Sequence, residues 1–287
     1  MSSFLQKYQR QPKLYVDLPS QGAFYNEDTI QDNTVTKMPV FGMNAMDEII
    51  FKTPDALLTG EATASVMQSC IPYIKDPWQL VGYDIDFILI AMRFSTYGDG
   101  LPISTRCPHC STEQDSEVSL TKMLDNFVDY PIKFQFHLDN LTVHLRPLTY
   151  RETTDFSMEN FALERRLVAI KTLDSDEKTK DEQVKTIFSE SSKLNLRLAV
   201  AHIESISEGD DIEADNSVVL EFIQNSDQEF YKKLREGIKD LTEKWNLPNI
   251  KIKCVNEECD ADEYSTNIDL DYSNFFGARS LHSRNLI

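Results

Sequence analysis

Two stretches of this chain decide its fold, Cys107-Pro-His-Cys110 and Cys254-Val-Asn-Glu-Glu-Cys259. Together they supply four of its five cysteines. Two close thiol pairs are the usual way to present four sulfurs to one tetrahedral zinc ion. The sequence therefore predicts one structural zinc site whose ligands are Cys107, Cys110, Cys254 and Cys259. If both pairs bind the same ion, the residues between Cys110 and Cys254 form an insertion whose two ends meet at the metal site.

The residues that follow each pair are similar in order, which supports a shared site. After the first pair come Val118-Ser-Leu120 and Phe127, and after the second come Ile268-Asp-Leu270 and Phe275. Two such cysteine knuckles facing one ion form a zinc ribbon. An iron–sulfur cluster and metal-free thiols are the alternatives. A closed four-thiolate site leaves no position for water, so we expect a structural rather than a catalytic metal.

Two further residues could in principle bind a metal, but we expect neither of them to be a ligand. Cys70 shares helical spacing with Val66 and Met67, so we expect a small core residue rather than a ligand. His109 lies between two ligands, where a third donor would strain the turn, so we expect it to point outward. The unpaired Cys70 and the CxxC-type spacing favour a reducing cytosol over an exported disulfide scaffold.

Composition excludes two classes of partner. The chain has 287 residues, a net charge of −18 and interspersed rather than clustered basic residues, so we expect no nucleic-acid binding. Its longest apolar stretch, Phe87-Ile-Leu-Ile-Ala-Met92, is far too short to span a bilayer, so we expect no membrane association. The first residues show no signal-peptide pattern.

The predicted fold class is α+β, with a helical N-terminal part, a zinc-ribbon-like module of two knuckles and a β-hairpin, and a helical insertion between the knuckles. Four segments follow. An N-terminal arm and helical region covers residues 1–100. The zinc-ribbon-like module with its hairpin covers 101–148 plus 247–276. An acidic helical region covers 149–246, and a flexible tail covers 277–287.

Local patterns predict the elements around the insertion. Alternating apolar residues predict a hairpin over 132–148, with His137 and His144 as cross-strand neighbours on its polar face. Thr149-Tyr-Arg-Glu152 fits a capping box that begins a long helix. The next helix has Ile206 as its last apolar marker, and an acidic loop is expected over 207–215.

The N-terminal part shows strand and helix signals. Leu14-Tyr-Val-Asp-Leu18 alternates as a strand does. Thr53-Pro54 is typical of a helix start, and two further helices are predicted over 62–70 and 84–95. No phosphate-binding loop, dinucleotide fingerprint, nucleophile elbow or HExxH motif is present, so we expect no enzyme. A hydrolase site built from dispersed residues stays open as an alternative.

Several short phrases, in linked order, carry a resemblance to a known family. They are Leu18-Pro-Ser-Gln-Gly22 with Phe24-Tyr25, Met46-Asp-Glu-Ile-Ile50, Thr53-Pro-Asp-Ala-Leu-Leu-Thr-Gly60, Cys70-Ile71, Asp76-Pro-Trp-Gln-Leu80, Asp86 to Arg93, Tyr97-Gly98, Cys107-Pro-His-Cys110 and Arg146-Pro-Leu-Thr-Tyr-Arg-Glu152. Over about the first 150 residues of the sequence, this succession resembles tail baseplate proteins of T4-like contractile-tailed phages.

The resemblance implies a baseplate hub or hub-assembly protein, a late protein of infection. Such a protein is made in the host cytoplasm, binds other tail and hub proteins or the tape measure protein, and either remains in the virion tail or acts during assembly. The resemblance carries no catalytic residues. A zinc-ribbon regulator that contacts transcription machinery is the alternative reading of the paired knuckles, although the net charge of −18 disfavours direct nucleic-acid contact.

Overall fold

The chain folds as two compact units. The computed structural model describes residue 4 and residues 9–31, 36–53, 59–127, 134–172, 177–247, 249–266 and 281–282. Unit 1 combines Met1–Tyr130 with Asn246–Ile287, and unit 2 is Pro131–Trp245. The described residues form eight α-helices and small, mainly antiparallel sheets, so the α+β prediction is confirmed.

Unit 1 begins with a two-stranded antiparallel sheet and continues into helices. The strands are β1 (Pro12–Val16) and β2 (Met38–Phe41). The helices are α1 (Ala45–Phe51), α2 (Glu61–Cys70), α3 (Gly82–Tyr97) and α4 (Leu120–Asp125), with a 3₁₀ turn at Pro77–Gln79. As predicted, Cys70 is a buried core residue of α2.

Helix α3 is the core of unit 1. Most of its side chains are buried, including Ile85, Ile88 and Leu89. A helix whose side chains are buried on most of its faces must be surrounded by protein. Phe127 packs against Tyr83 and Phe87 of this helix at ring separations of 4.9 and 5.1 Å. Phe127, which follows the first cysteine pair in the sequence, therefore packs on this core helix.

A buried carboxylate ties the N-terminal arm to α3. Asp84 is fully buried and accepts hydrogen bonds from the Ser20 backbone N–H (3.0 Å), the Ser20 hydroxyl and the Tyr25 hydroxyl (2.6 Å). The Tyr25 oxygen in turn accepts from the Val81 N–H at 3.1 Å. Burial raises the pKa of Asp84, and the hydrogen bonds from Ser20 and Tyr25 lower it only in part.

Five more strands complete unit 1. They are β3 (Gly100–Arg106), β4 (Glu113–Ser119), β9 (Ile250–Lys253), β10 (Glu263–Thr266) and β11 (Leu281–His282). The pairs β3–β4 and β9–β10 are antiparallel hairpins. Strand β11 pairs in parallel with β3, so Leu281 and His282 of the predicted flexible tail lie in a sheet.

The described part of unit 2 contains a four-stranded antiparallel sheet and four helices. The strands are β5 (Phe134–Leu138), β6 (Leu141–Leu145), β7 (Ile203–Glu208) and β8 (Asp211–Glu213), in that order across the sheet. The helices are α5 (Tyr150–Thr172), α6 (Glu177–Ala201), α7 (Asn216–Asn225) and α8 (Gln228–Lys244). Val143, Ile206, Val219 and Leu234 contribute to their common core.

The capping box predicted at the start of α5 is present. The Thr149 N–H donates to Glu152 at 2.9 Å, and the Glu152 N–H donates to the Thr149 hydroxyl at 3.3 Å. Arg146 adds a bidentate ion pair to the same carboxylate. The two side chains thereby satisfy two N–H groups at the start of the helix. Burial alone would raise the pKa of Glu152, but the hydrogen bonds from Arg146 and Thr149 outweigh burial and lower it.

The hairpin β5–β6 is confirmed, but the predicted pairing of its histidines is only approximate. His137 faces Thr142 and His144 faces Gln135 across the strands, so the two histidines are diagonal neighbours. The hairpin also pairs with β7 and therefore belongs to unit 2, whereas the sequence grouped it with the cysteine module. The two units thus divide the chain differently from the four predicted segments.

One secondary-structure prediction is wrong. Residues around Ile206 were expected to end a helix and 207–215 to form a loop, but they form the β7–β8 hairpin. Gly209, with φ of +59°, lies in the turn between Glu208 and Asp211. A glycine in a two-residue turn between paired residues is a hairpin signal, which the acidic composition of this segment obscured.

Some predictions fall outside the described residues. The helix expected to begin at Thr53-Pro54 runs into residues 54–58, and the strand pattern Ile268-Asp-Leu270 and Phe275 lie in 267–280. Those expectations remain predictions.

The buried Asp84 predicts a distinctive pH dependence. Because its folded-state pKa is raised, ionised Asp84 lowers stability near neutral pH, and this cost disappears as the pH falls through the raised pKa. The wild type should therefore gain free energy of unfolding relative to Asp84→Asn as the pH is lowered from neutral to the ordinary carboxyl pKa of about 4. Urea unfolding across this range measures the difference, with exposed Asp28→Asn as the control. If the free energy of unfolding depended on pH in the same way in the wild type and in Asp84→Asn, Asp84 would not be a buried group that ionises.

Candidate metal centre

The first cysteine pair forms the tip of the β3–β4 hairpin. Cys107 follows the last residue of β3, and its N–H donates to the Thr112 carbonyl at 2.9 Å. The Ser111 N–H donates back to the Cys107 carbonyl at 2.9 Å, and Ser111 adopts a positive φ of 61°. This tight turn brings the Cys107 and Cys110 thiols to the same side.

The second pair is built in the same way on β9–β10. The Cys254 N–H donates to the Asp262 carbonyl at 2.9 Å, and the Cys259 N–H donates to the Asn256 carbonyl at 3.0 Å. Each knuckle is therefore a hairpin tip whose first cysteine closes the loop through its backbone. The wider spacing of the second pair does not keep Cys259 away from the cluster.

The two pairs converge on one point. The Sγ atoms of Cys107 and Cys259 are 3.8 Å apart, and those of Cys110 and Cys254 are 3.6 Å apart. All four sulfurs lie within 4.8 Å of one another. Sulfurs bound tetrahedrally at about 2.3 Å from one ion are separated by about 3.8 Å, whereas a disulfide requires about 2 Å. The cluster can therefore hold one metal ion such as zinc.

The electrostatics of the cluster also favour a cation. Hydrogen bonding from the side chain and backbone of Thr112 lowers the pKa of the Cys110 thiol to about 6. At Cys259 the Ala261 N–H lowers the pKa, but burial and the neighbouring thiols outweigh it and raise the pKa to about 12. The Cys110 thiolate forms readily, whereas deprotonation of Cys259 is opposed, so a positive ion among the sulfurs would favour deprotonation of the whole cluster.

A glutamine connects the two knuckles. Gln114 of β4 is buried, and its amide nitrogen donates to the Lys253 carbonyl at 2.8 Å while its amide oxygen accepts from the Val255 N–H at 3.0 Å. One side chain of the first knuckle thus binds the backbone on both sides of Cys254. Such contacts outside the ligand set orient the ligands and tune metal affinity.

A second link joins the hairpins beneath the thiols. The hydroxyls of Thr105 in β3 and Tyr264 in β10 are 2.5 Å apart, and both side chains are buried. Sequence reasoning identified the four cysteines but not Gln114, Thr105 or Tyr264. No local signal marks these three residues, because their role depends on a contact between hairpins that are distant in sequence. His109 is exposed and outside the cluster, as expected.

Comparison with protein families identifies the chain. Residues 25–277 match the model of a family described as "T4 bacteriophage base plate protein". The chain belongs to this baseplate protein family. The matched range includes all four clustered cysteines and the whole of unit 2. Searches of curated proteins and of solved structures gave no match.

The family assignment confirms the resemblance to T4-like baseplate proteins and extends it. The sequence phrases covered about the first 150 residues, whereas the match continues through the acidic helical part and both knuckles. Membership implies association with the virion tail and contact with other phage tail proteins. Within the described ranges, no helix is both long enough and apolar enough to cross a bilayer.

If the four cysteines form one site, removing one ligand from either knuckle should release the metal. Purified full-length protein should carry one zinc ion per chain by native mass spectrometry, and either Cys107→Ser or Cys254→Ser should lose it. Because a structural zinc contributes roughly 10 kcal/mol or more, hydrogen exchange should accelerate in both hairpins together. Cys70→Ala removes a buried thiol outside the cluster and should keep the metal. Disturbance limited to the substituted hairpin would show that the pairs act separately.

The bridging glutamine gives a second prediction at this site. Gln114→Leu preserves much of the side-chain volume but removes both contacts around Cys254. Zinc affinity, measured by chelator competition, should fall about 10- to 100-fold while all four thiols remain. Gln135→Leu, an exposed change on β5 in unit 2, is the matched control and should leave affinity unchanged. An unaltered affinity in Gln114→Leu would mean that the hairpins do not depend on this bridge.

Proposed function

We propose that this protein is a structural or chaperone-like assembly protein of the phage baseplate hub. It binds other hub and tail proteins, with the tape measure protein as one candidate, and one structural zinc holds its fold. The observation that carries the proposal is the baseplate family match over residues 25–277. The closed four-cysteine cluster supports it, because such a site stabilises a protein scaffold rather than activating water.

We propose further that the metal is zinc and that the protein is not an enzyme. Four sulfurs within 4.8 Å leave space for a single ion, which favours zinc over a cluster of several iron atoms. Four thiolate ligands would complete its coordination and leave no position for a substrate. The sequence also lacks the phosphate-binding, nucleophile-elbow and metalloprotease motifs that would suggest catalysis.

The proposed place of action is the host cytoplasm during tail assembly. The chain has a net charge of −18, which suits binding to basic protein surfaces and opposes contact with nucleic acid. Mass spectrometry of purified virions separates two roles within the proposal, since a structural subunit remains in the particle and an assembly factor is absent from it.

Co-expression tests the function directly. Tagged full-length protein, produced together with the tail proteins of the same phage, should be recovered in a defined complex with hub proteins and one zinc ion per copy. Cys254→Ser should lose the ion and the complex, because the unit that contains both knuckles would no longer fold. Cys70→Ala should retain both.

The contrary result would favour a different class of protein. Recovery with the host transcription machinery, and without tail proteins, would overturn the baseplate role and support the zinc-ribbon regulator considered from the sequence. A complex that survives the loss of zinc would retain the baseplate role but remove zinc as the element that holds the fold.

A further inference from the structure

An apolar groove opens at one end of the unit 2 sheet. It has a volume of about 430 Å³ and lies between the β6–β7–β8 strands and helix α7. Val218 and Phe222, one turn apart on α7, contribute its exposed apolar wall and are 46% and 40% accessible. Ile206 and Val219 are buried core residues that form its base. The groove is therefore continuous with the core of unit 2.

Three carboxylates line the same groove, and no basic residue is among its described lining. They belong to Glu208, Asp211 and Glu213. Glu208 and Asp211 lie directly opposite each other in the β7–β8 register. Like charges at opposite positions destabilise an antiparallel pair. The isolated sheet therefore carries a charge repulsion that a cationic ligand would relieve.

The groove runs beside a sheet edge. Strand β8 is the outermost strand of the order β5-β6-β7-β8, and within the described residues no strand pairs with its outer side. Its Ile212 side chain is 72% exposed. An open edge presents backbone donors and acceptors that another extended chain can pair with. Groove and edge together provide apolar, charged and backbone contacts for one extended segment.

We propose that this surface binds an extended segment of a partner protein whose groove-facing positions, every second residue, carry both apolar and basic side chains. The segment adds as a strand beside β8, places its apolar side chains between Val218 and Phe222, and sets lysine or arginine against the three carboxylates. In a strand, alternate side chains point to opposite faces, so the spacing of the anchors follows from the backbone period. The proposal rests on the proposed function only in that the partner is another tail protein.

A second copy of this chain is disfavoured as the occupant. Antiparallel pairing of β8 with another β8 would bring Asp211 and Glu213 of one copy towards the same acids of the other. Such pairing adds repulsion instead of relieving it. Charge complementarity therefore selects a basic segment.

Peptide binding to the full-length protein tests the surface. The probe is a short fluorescein-labelled peptide with serine at every second position and valine or lysine at the positions between, compared with one in which glutamate replaces lysine. Fluorescence anisotropy should show binding of the basic peptide alone, weakening as salt is added. Glu208→Lys should weaken binding about tenfold or more, and Val218→Ser should weaken it about threefold to tenfold. Glu182→Lys makes the same charge change at an exposed position of α6 outside the groove and should have little effect.

The thermal midpoint supplies a second readout. Glu208→Lys replaces a like-charged cross-strand pair by an opposite one, so the variant should be at least as stable as the wild type while binding less. This combination separates loss of a binding site from loss of the fold.

Three results would overturn the proposal. The first is that the basic peptide does not bind, and the second is that Glu208→Lys and Glu182→Lys weaken peptide binding equally. The third is that the wild type sediments as a dimer and Val218→Ser as a monomer, which would assign the groove to self-association. If tail proteins still bind in the co-expression experiment and Glu208→Lys does not alter the complex, this surface is refuted while the proposed function stands.

Discussion

The convergence of four thiols on one point is the constraint on which unit 1 depends. The β9–β10 hairpin is a short two-stranded sheet, and it comes from a part of the chain distant from β3–β4. Isolated two-stranded hairpins are at best marginally stable in water. The contacts of Gln114 and the Thr105–Tyr264 hydroxyl pair join them, and a metal bound at the tips would supply the larger share of the free energy.

The cysteine cluster also bears on how unit 2 is connected to unit 1 along the chain. Both of its ends, Pro131 and Trp245, connect to segments of unit 1 that carry one knuckle each. The family match spans both knuckles and everything between them. In this account the metal fixes the scaffold, and unit 2 contributes a sheet edge and an apolar groove for partners. Neither element requires chemistry at the metal.

The parts of the fold that could be predicted have strong local causes. The thiol spacing, the Thr149–Glu152 capping box, the apolar stripe of α3 and the alternating β5–β6 hairpin each follow from residues near one another in the chain. The β7–β8 hairpin was missed because its acids resemble a solvated loop, and its strands gain stability only by pairing with β6. Gln114 could not be found, because its partners lie across the second knuckle and exist only after folding.

Zinc K-edge X-ray absorption spectroscopy on the purified full-length protein tests the central claim most directly. The account predicts a single shell of four sulfur neighbours at about 2.3 Å, with no nitrogen or oxygen ligand. A shell containing water or imidazole, an iron absorption edge in place of the zinc edge, or protein that is folded without bound metal would contradict it.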